Sequence, residues 1–347
     1  MNLRAFLGLA LATLIAVVAV VILLVTGNSG PAARAPGTTL LPTLAKSTDS
    51  AAKIVWTHAG ETTDIVKDGD TWTVAELAGY PAFPAQVNEA ILGPSRFQTF
   101  EPKTQRPELY DKLDLNDPTS ADAKSSRLQI LDGAGKTLAD VIVGRVKNAT
   151  AGQESLYARL PSEPRAWLVR GKVDLPTARL GWVDAQVLTI DLPRIRDAWL
   201  NKPAKGGRVH VFKTKADDRD YAIDGMPANY ETKDVFGSED VARVIQQLSF
   251  EDVRPAAKQP VATTGQPYAE FATFDGLKVD LWLADADGKT WAAIKASPQA
   301  GNADEAIAKE AAAINARNAA WVYSLPSYEL GNLRKTLDDL IQPKPKS

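Results

Sequence analysis

From Ala5 to Val25 the chain runs through 21 residues without a charge, AFLGLALATLIAVVAVVILLV. Written as a helix rising about 1.5 Å per residue, that stretch spans roughly 31 Å, the thickness of a bilayer core. Arg4 precedes the run and no Lys or Arg follows until Arg34. The excess of positive charge on the N-terminal side predicts a cytoplasmic N-terminus, with everything after Thr26 outside. A cleavable signal is the competing reading. Its apolar part is shorter, about 7–15 residues, and it ends in a small-residue cleavage site. The nearest such site, Ala33-Arg34-Ala35, is followed by Pro36, which disfavours cutting. Residues 1–27 are therefore expected to form an uncleaved signal anchor, and residues 28–50, rich in Gly, Pro, Ser and Thr, a linker.

Composition then removes whole classes of chemistry. The chain has no Cys and two His, so disulfides, thiolate metal sites, cysteine nucleophiles and His-rich metal centres are excluded. With 40 basic against 42 acidic side chains it has no global attraction for nucleic acid. No cofactor and no metal is expected.

Asp-Gly dipeptides punctuate the remainder, at Asp68-Gly69, Asp132-Gly133, Asp224-Gly225, Asp275-Gly276 and Asp287-Gly288. Flanked by alternating apolar residues, each predicts a hairpin. Helical patterns lie between them: Val87, Ile91 and Leu92 after Pro84, then Val241, Val244, Ile245 and Leu248 after Ser238. Three landmarks recur in the same order. Asp68-Gly69 matches Asp224-Gly225, Phe100-Glu101 matches Phe250-Glu251, and Gly135-Lys136-Thr137 matches Gly288-Lys289-Thr290. The expectation is an α+β fold: a transmembrane helix, then two tandem repeats of antiparallel sheet plus helix (51–200 and 201–300). C-terminal helices and a tail would fill 301–347.

Ordered landmarks carry a resemblance to a known family. They are K-I-V-W-T-H (53–58), F-E-P-K-T (100–104), P-E-L-Y-D-K-L-D-L (107–115), V-I-V-G-R (141–145), W-L-V (167–169), L-G-W-V-D (180–184) and A-A-W-V-Y-S-L-P-S-Y (319–328). Over residues 40–342 the chain resembles the bacterial single-pass extracytoplasmic proteins of unknown function whose genes stand beside gliding-motility-type ABC transporter genes. The resemblance implies a bacterial inner-membrane protein, N-terminus cytoplasmic and bulk periplasmic, with ABC transporter subunits as partners. It supplies no catalytic residues.

Local motifs for chemistry are weak. Both Gly-Lys-Thr triplets lack the earlier glycine of a phosphate loop, the positions being Ile130 and Leu283, and read as turns. Asp285-x-Asp287-Gly288 lacks the later ligands of a calcium loop. His58 and His210 are expected at similar strand positions in separate units, too far apart for one mechanism. Most of the eight Trp residues fall on strands, where aromatic rings pack sheet faces. Trp321 and Tyr323, beside the break at Pro326, are the candidate partner surface. The expected function is a non-catalytic, membrane-anchored periplasmic binding or scaffold protein, an accessory of an ABC-type transport system held to the inner membrane by residues 5–25. The alternative is a receptor for a small ligand or glycan between the repeats, and a hydrolase ranks below both.

Overall fold

A computed structural model describes residues 34–201, 207–234 and 236–345. The apolar run 5–25, expected to anchor the chain, lies outside them. Among the described residues no helix is long and apolar enough to cross a membrane.

A short helix α1 (Pro42–Lys46) leads into β1 (Ala51–His58) and β2 (Glu61–Asp68). The two strands are joined by Ala59 and Gly60, with φ of 47° and 80°. Positive φ at both central residues gives the turn the right-handed twist of the strands it connects. Next come β3 (Thr71–Val74), β4 (Tyr80–Pro81), α2 (Pro84–Ser95), β5 (Gln98–Pro102), β6 (Ser126–Asp132), β7 (Thr137–Asn148), β8 (Ser155–Arg159) and β9 (Ala166–Arg170). They make one nine-stranded sheet in the order β4-β3-β2-β1-β6-β7-β8-β9-β5, with antiparallel neighbours throughout. Along β6 Leu128 and Ile130 are buried while Arg127 and Gln129 are only half-buried, the period-two alternation of a sheet packed on one face. All five residues of β8 are buried. Its outer face is covered by the 103–125 segment, through Tyr110 and Leu115 packed on Ile142, Tyr157 and Leu168.

That cover explains two of the landmarks together. Arg159 lies under the segment, donating to the Leu115 carbonyl at 2.9 Å with its guanidinium 4.7 Å from the Tyr110 ring centre. A Cβ at Gly144 would collide with the carbonyl oxygens of Leu113 and Asp114. The P-E-L-Y-D-K-L-D-L segment can therefore lie flat on the sheet only where V-I-V-G-R has its glycine.

The second half begins with β10 (Gln186–Leu188), β11 (Ile195–Leu200), β12 (Val209–Phe212), β13 (Ala222–Ile223), β14 (Tyr230–Thr232) and α3 (Gly237–Arg243). It continues with β15 (Leu248–Ser249), β16 (Asp252–Pro255), β17 (Ala269–Thr273), β18 (Leu277–Ala286), β19 (Lys289–Pro298), α4 (Glu305–Asn318) and β20 (Trp321–Ser324). The chain closes with α5 (Ser327–Leu333), α6 (Leu337–Leu340) and β21 (Ile341–Pro343). Eight of these strands form a sheet in the order β13-β12-β11-β17-β18-β19-β20-β16, and the pairs β10-β15 and β14-β21 stand apart.

The expected α+β fold is thus corrected to a mostly antiparallel β architecture of two large sheets and two small ones. Helices are few because most buried apolar residues alternate at period two rather than recur at helical spacing. The two large sheets share one strand order, β3-β2-β1-β6-β7-β8-β9-β5 against β13-β12-β11-β17-β18-β19-β20-β16, but two of the three landmarks behind the expected repeat fall one step out of that match. Gly135-Lys136 turns β6 into β7, the first hairpin beyond the β1-β6 pair, whereas Gly288 turns β18 into β19, one hairpin beyond the β17-β18 turn that follows the β11-β17 pair. Asp68-Gly69 joins paired strands β2 and β3, but Asp224-Gly225 follows β13 and joins no paired strands. β11, expected within the first unit, belongs to the second sheet, and β20, expected among terminal helices, is one of its inner strands.

Among the described residues one large apolar cluster takes in both sheets, with two smaller clusters beside it. Val87, Ala90 and Ile91 of α2 cover the first, and Val241 and Ala242 of α3 with Ile307 and Ala311 of α4 cover the second. Where the sheets meet, Tyr80 packs edge-on against Trp321, Phe250 and Tyr323, at centroid distances of 4.9, 5.4 and 6.4 Å.

Candidate functional site: a cavity where two strands part

The structure separates the two residues of the expected partner surface. Tyr323 is fully buried at the junction of the sheets, and burial, with Tyr80 beside it, pushes its phenol well above the usual tyrosine range despite the nearby Arg317. It has no surface to offer. Trp321, two residues earlier, is half-buried, with part of its indole against Tyr80 and part on the wall of a cavity of about 420 Å³.

The cavity follows from the register of β19 and β20. Their pairing consists of Trp291↔Ser324 and Ala292↔Tyr323 and goes no further. The next residues on both strands, Ala293 to Lys295 on one and Trp321 to Val322 on the other, line the opening. β20 turns away because it is held on its far side along its whole length by β16, from Asp252↔Ser324 to Pro255↔Trp321. The floor of the gap is the C-terminal end of α4.

α4 is positioned by its cap and its stripe. Asp304 accepts from the N–H of Ala306 at 2.8 Å and fixes the N-terminus. Ile307, Ala311 and Ile314 then face the sheet at helical spacing, and the next step of that stripe is Asn318. Two amides on this face meet the strand. Asn315 donates to the carbonyl of Ala296 and accepts from its N–H, both at 2.8 Å. Asn318 is 98% buried by its 2% exposure and donates to the Ile314 carbonyl at 2.8 Å. Its Oδ1 accepts no hydrogen bond, although an unpaired buried acceptor costs about 1–3 kcal/mol. Thr263 adds a hydroxyl to the wall and Lys295 an exposed ammonium, whose Nζ stands 5.7 Å from the Trp282 ring centre. The site offers a hydroxyl, a cation and apolar walls, with the unpaired Asn318 acceptor buried in its floor: the means to hold and orient a ligand.

The other sequence candidates resolve elsewhere. His58, in β1, contacts the Ser125 carbonyl at 2.9 Å and Ser126 Oγ at 3.1 Å. His210 lies in β12, the second strand of its run rather than the first. It is stacked between Trp199 and Phe212, with Asp197 at 2.9 Å and Asp224 at 3.3 Å. Both Gly-Lys-Thr triplets are hairpin turns, and Asp285 is engaged by Thr290 Oγ1 at 2.6 Å. Among the described residues no cluster of His, Asp and Glu is arranged to hold a metal. Trp56, Trp167, Trp182 and Trp291 are core residues. Sequence reasoning passed over Asn318, whose signal was an amide at the next step of an apolar helical stripe.

No curated protein and no solved structure matches the chain. A family match covers residues 72–267 and takes in the landmarks from Phe100 to Asp184, while 53–58 and 319–328 fall outside it. The cavity straddles that boundary, with Thr263 inside the match and α4 and β20 beyond it. On a match that spans more than half its length, the chain belongs to the family described as Domain of unknown function (DUF4340).

Proposed function

We propose that this chain is a non-catalytic binding protein whose ligand enters the gap between β19 and β20. One observation carries the reading: Asn318 lines a cavity of ligand size, and its buried Oδ1 is left without a donor by the fold itself. A buried polar group is normally satisfied within the chain, and an exception beside a cavity is accounted for when another molecule supplies the partner. Around it stand Trp321, Thr263 and Lys295, groups suited to orienting a ligand.

The protein would work outside the cytoplasm, tethered to the inner membrane. The support for that placement is the uncharged sequence of residues 5–25 and the absence of Lys and Arg up to Arg34. Partnership with ABC transporter subunits is supported by the resemblance to extracytoplasmic proteins encoded beside such genes.

Thermal denaturation of the full-length protein against mixed small-molecule, glycan and peptide panels tests the binding reading. A saturable rise in Tm that Asn318→Leu abolishes is the expected result. A rise that survives the substitution, or no rise with any panel, would overturn it. Mild cross-linking in membranes tests the partnership, which requires co-purification with transporter subunits.

A further inference from the structure

We propose that the ligand is an extended peptide segment, paired with the free edge of β19 at Ile294. One apolar side chain would sit in the cavity and a carboxylate would face Lys295. This rests on the cavity being the binding site.

In an antiparallel ladder every second residue turns both its N–H and its C=O toward the same neighbour. On the β20 side of β19 those residues are Ala292, Ile294 and Ala296. Ala292 is paired with Tyr323. Ala296 has both groups taken by the Asn315 amide, which stands where the peptide group of a neighbouring strand would be. Ile294, between them, has no ladder partner on that side and lines the cavity. The edge is thus closed at each end and open in the middle, over the length of a short segment.

α4 repeats the Asn315 device at Asn318, one turn further on. There the amide's donor is used by the helix and its acceptor is left over. A peptide N–H is the donor that fits it. The same peptide carries the alternating N–H and C=O groups that a strand edge accepts, a match that isolated hydroxyls do not make. The remaining wall is apolar, from Val261, Ala293 and Val322. Lys295 stands beside the Trp282 ring and opposite Asp280, whose carboxylate is paired with Lys278 at 3.1 Å, so its ammonium is left to complement a negative charge on the incoming segment.

The test uses the full-length protein and two probes, N-acetyl-Ala-Val-Ala with a free carboxylate and the same tripeptide amidated, followed by tryptophan fluorescence and calorimetry. Further tripeptides vary the central apolar residue. Saturable binding is expected, about tenfold tighter for the carboxylate form. Asn318→Leu should weaken both forms about tenfold, and Asn318→Asp, which keeps an acceptor, should restore the amidated form. Lys295→Ala should make the two forms equal. Circular dichroism melts establish that each variant is folded, and the Asp variant separates a lost acceptor from a disturbed helix. No saturable binding by any tripeptide, or binding indifferent to both positions, overturns the inference. A non-peptide ligand that binds in an Asn318-dependent manner overturns it too, while leaving the binding reading intact. If neither peptides nor other ligands depend on Asn318, both fall.

Discussion

Asn315 bonds Ala296 at both of its backbone groups, each at 2.8 Å, so one side-chain amide finishes an edge that a strand would otherwise finish. Replacing it by Leu leaves a strand N–H and a carbonyl unpaired beside the helix. Asn315→Leu should lower stability by about 1–3 kcal/mol, read as a fall in the urea midpoint at unchanged slope. An unchanged midpoint would show that the contact contributes nothing.

Tyr80 tests whether the two sheets unfold together. It meets Trp321, Phe250 and Tyr323 at the junction, and truncating a buried aromatic costs about 3–5 kcal/mol. Calorimetry of Tyr80→Ala should resolve two transitions where the parent shows one. A single transition at lower temperature would mean that other contacts hold the sheets together.

Gly144 lies beneath the carbonyls of Leu113 and Asp114. Gly144→Ala should cost about 1–3 kcal/mol through overpacking and should lift the 103–125 segment, freeing the backbone at the already exposed Lys112 for faster limited trypsin digestion. Equal digestion rates in parent and variant would contradict the close approach.

Glu329, on α5, is 5% exposed, and burial pushes its carboxyl up to about 7. Its ordinary value is 4.5, so between pH 4.5 and 7 the unfolded chain loses a proton that the folded chain keeps. The contribution is complete below pH 4.5 and is lost as pH rises through 7. Solvent screening keeps it below about 3 kcal/mol. Glu329→Gln should therefore be more stable than the parent at pH 8 and close to it at pH 4. Parallel urea midpoints across that range in both proteins would refute the assignment.

Local turn chemistry was legible in the sequence, and position within a sheet was not. Asp287-Gly288 folds as the two-residue hairpin it announces, with φ of 54° and 73°. Yet the same residue types serve any hairpin, so matching Gly135-Lys136-Thr137 to Gly288-Lys289-Thr290 aligned turns at different steps of their sheets. Ile307 and Ile314 stand at helical spacing in the sequence, while the meaning of Asn318 depends on where β20 leaves β19. That divergence is fixed by β16, nearly 70 residues away in the chain. Trp321 stood out as an aromatic residue near a helix break, but only packing distinguishes its cavity-facing ring from the buried Tyr323.

Hydrogen exchange at the Ile294 amide, measured on the full-length protein with and without saturating N-acetyl-Ala-Val-Ala, tests the central claim most directly. If a peptide pairs with the open edge, the Ile294 N–H should become protected on binding, by at least about tenfold, while the already bonded Ala296 N–H changes little. Saturated binding with exchange at Ile294 unaltered would place the ligand elsewhere and contradict the account.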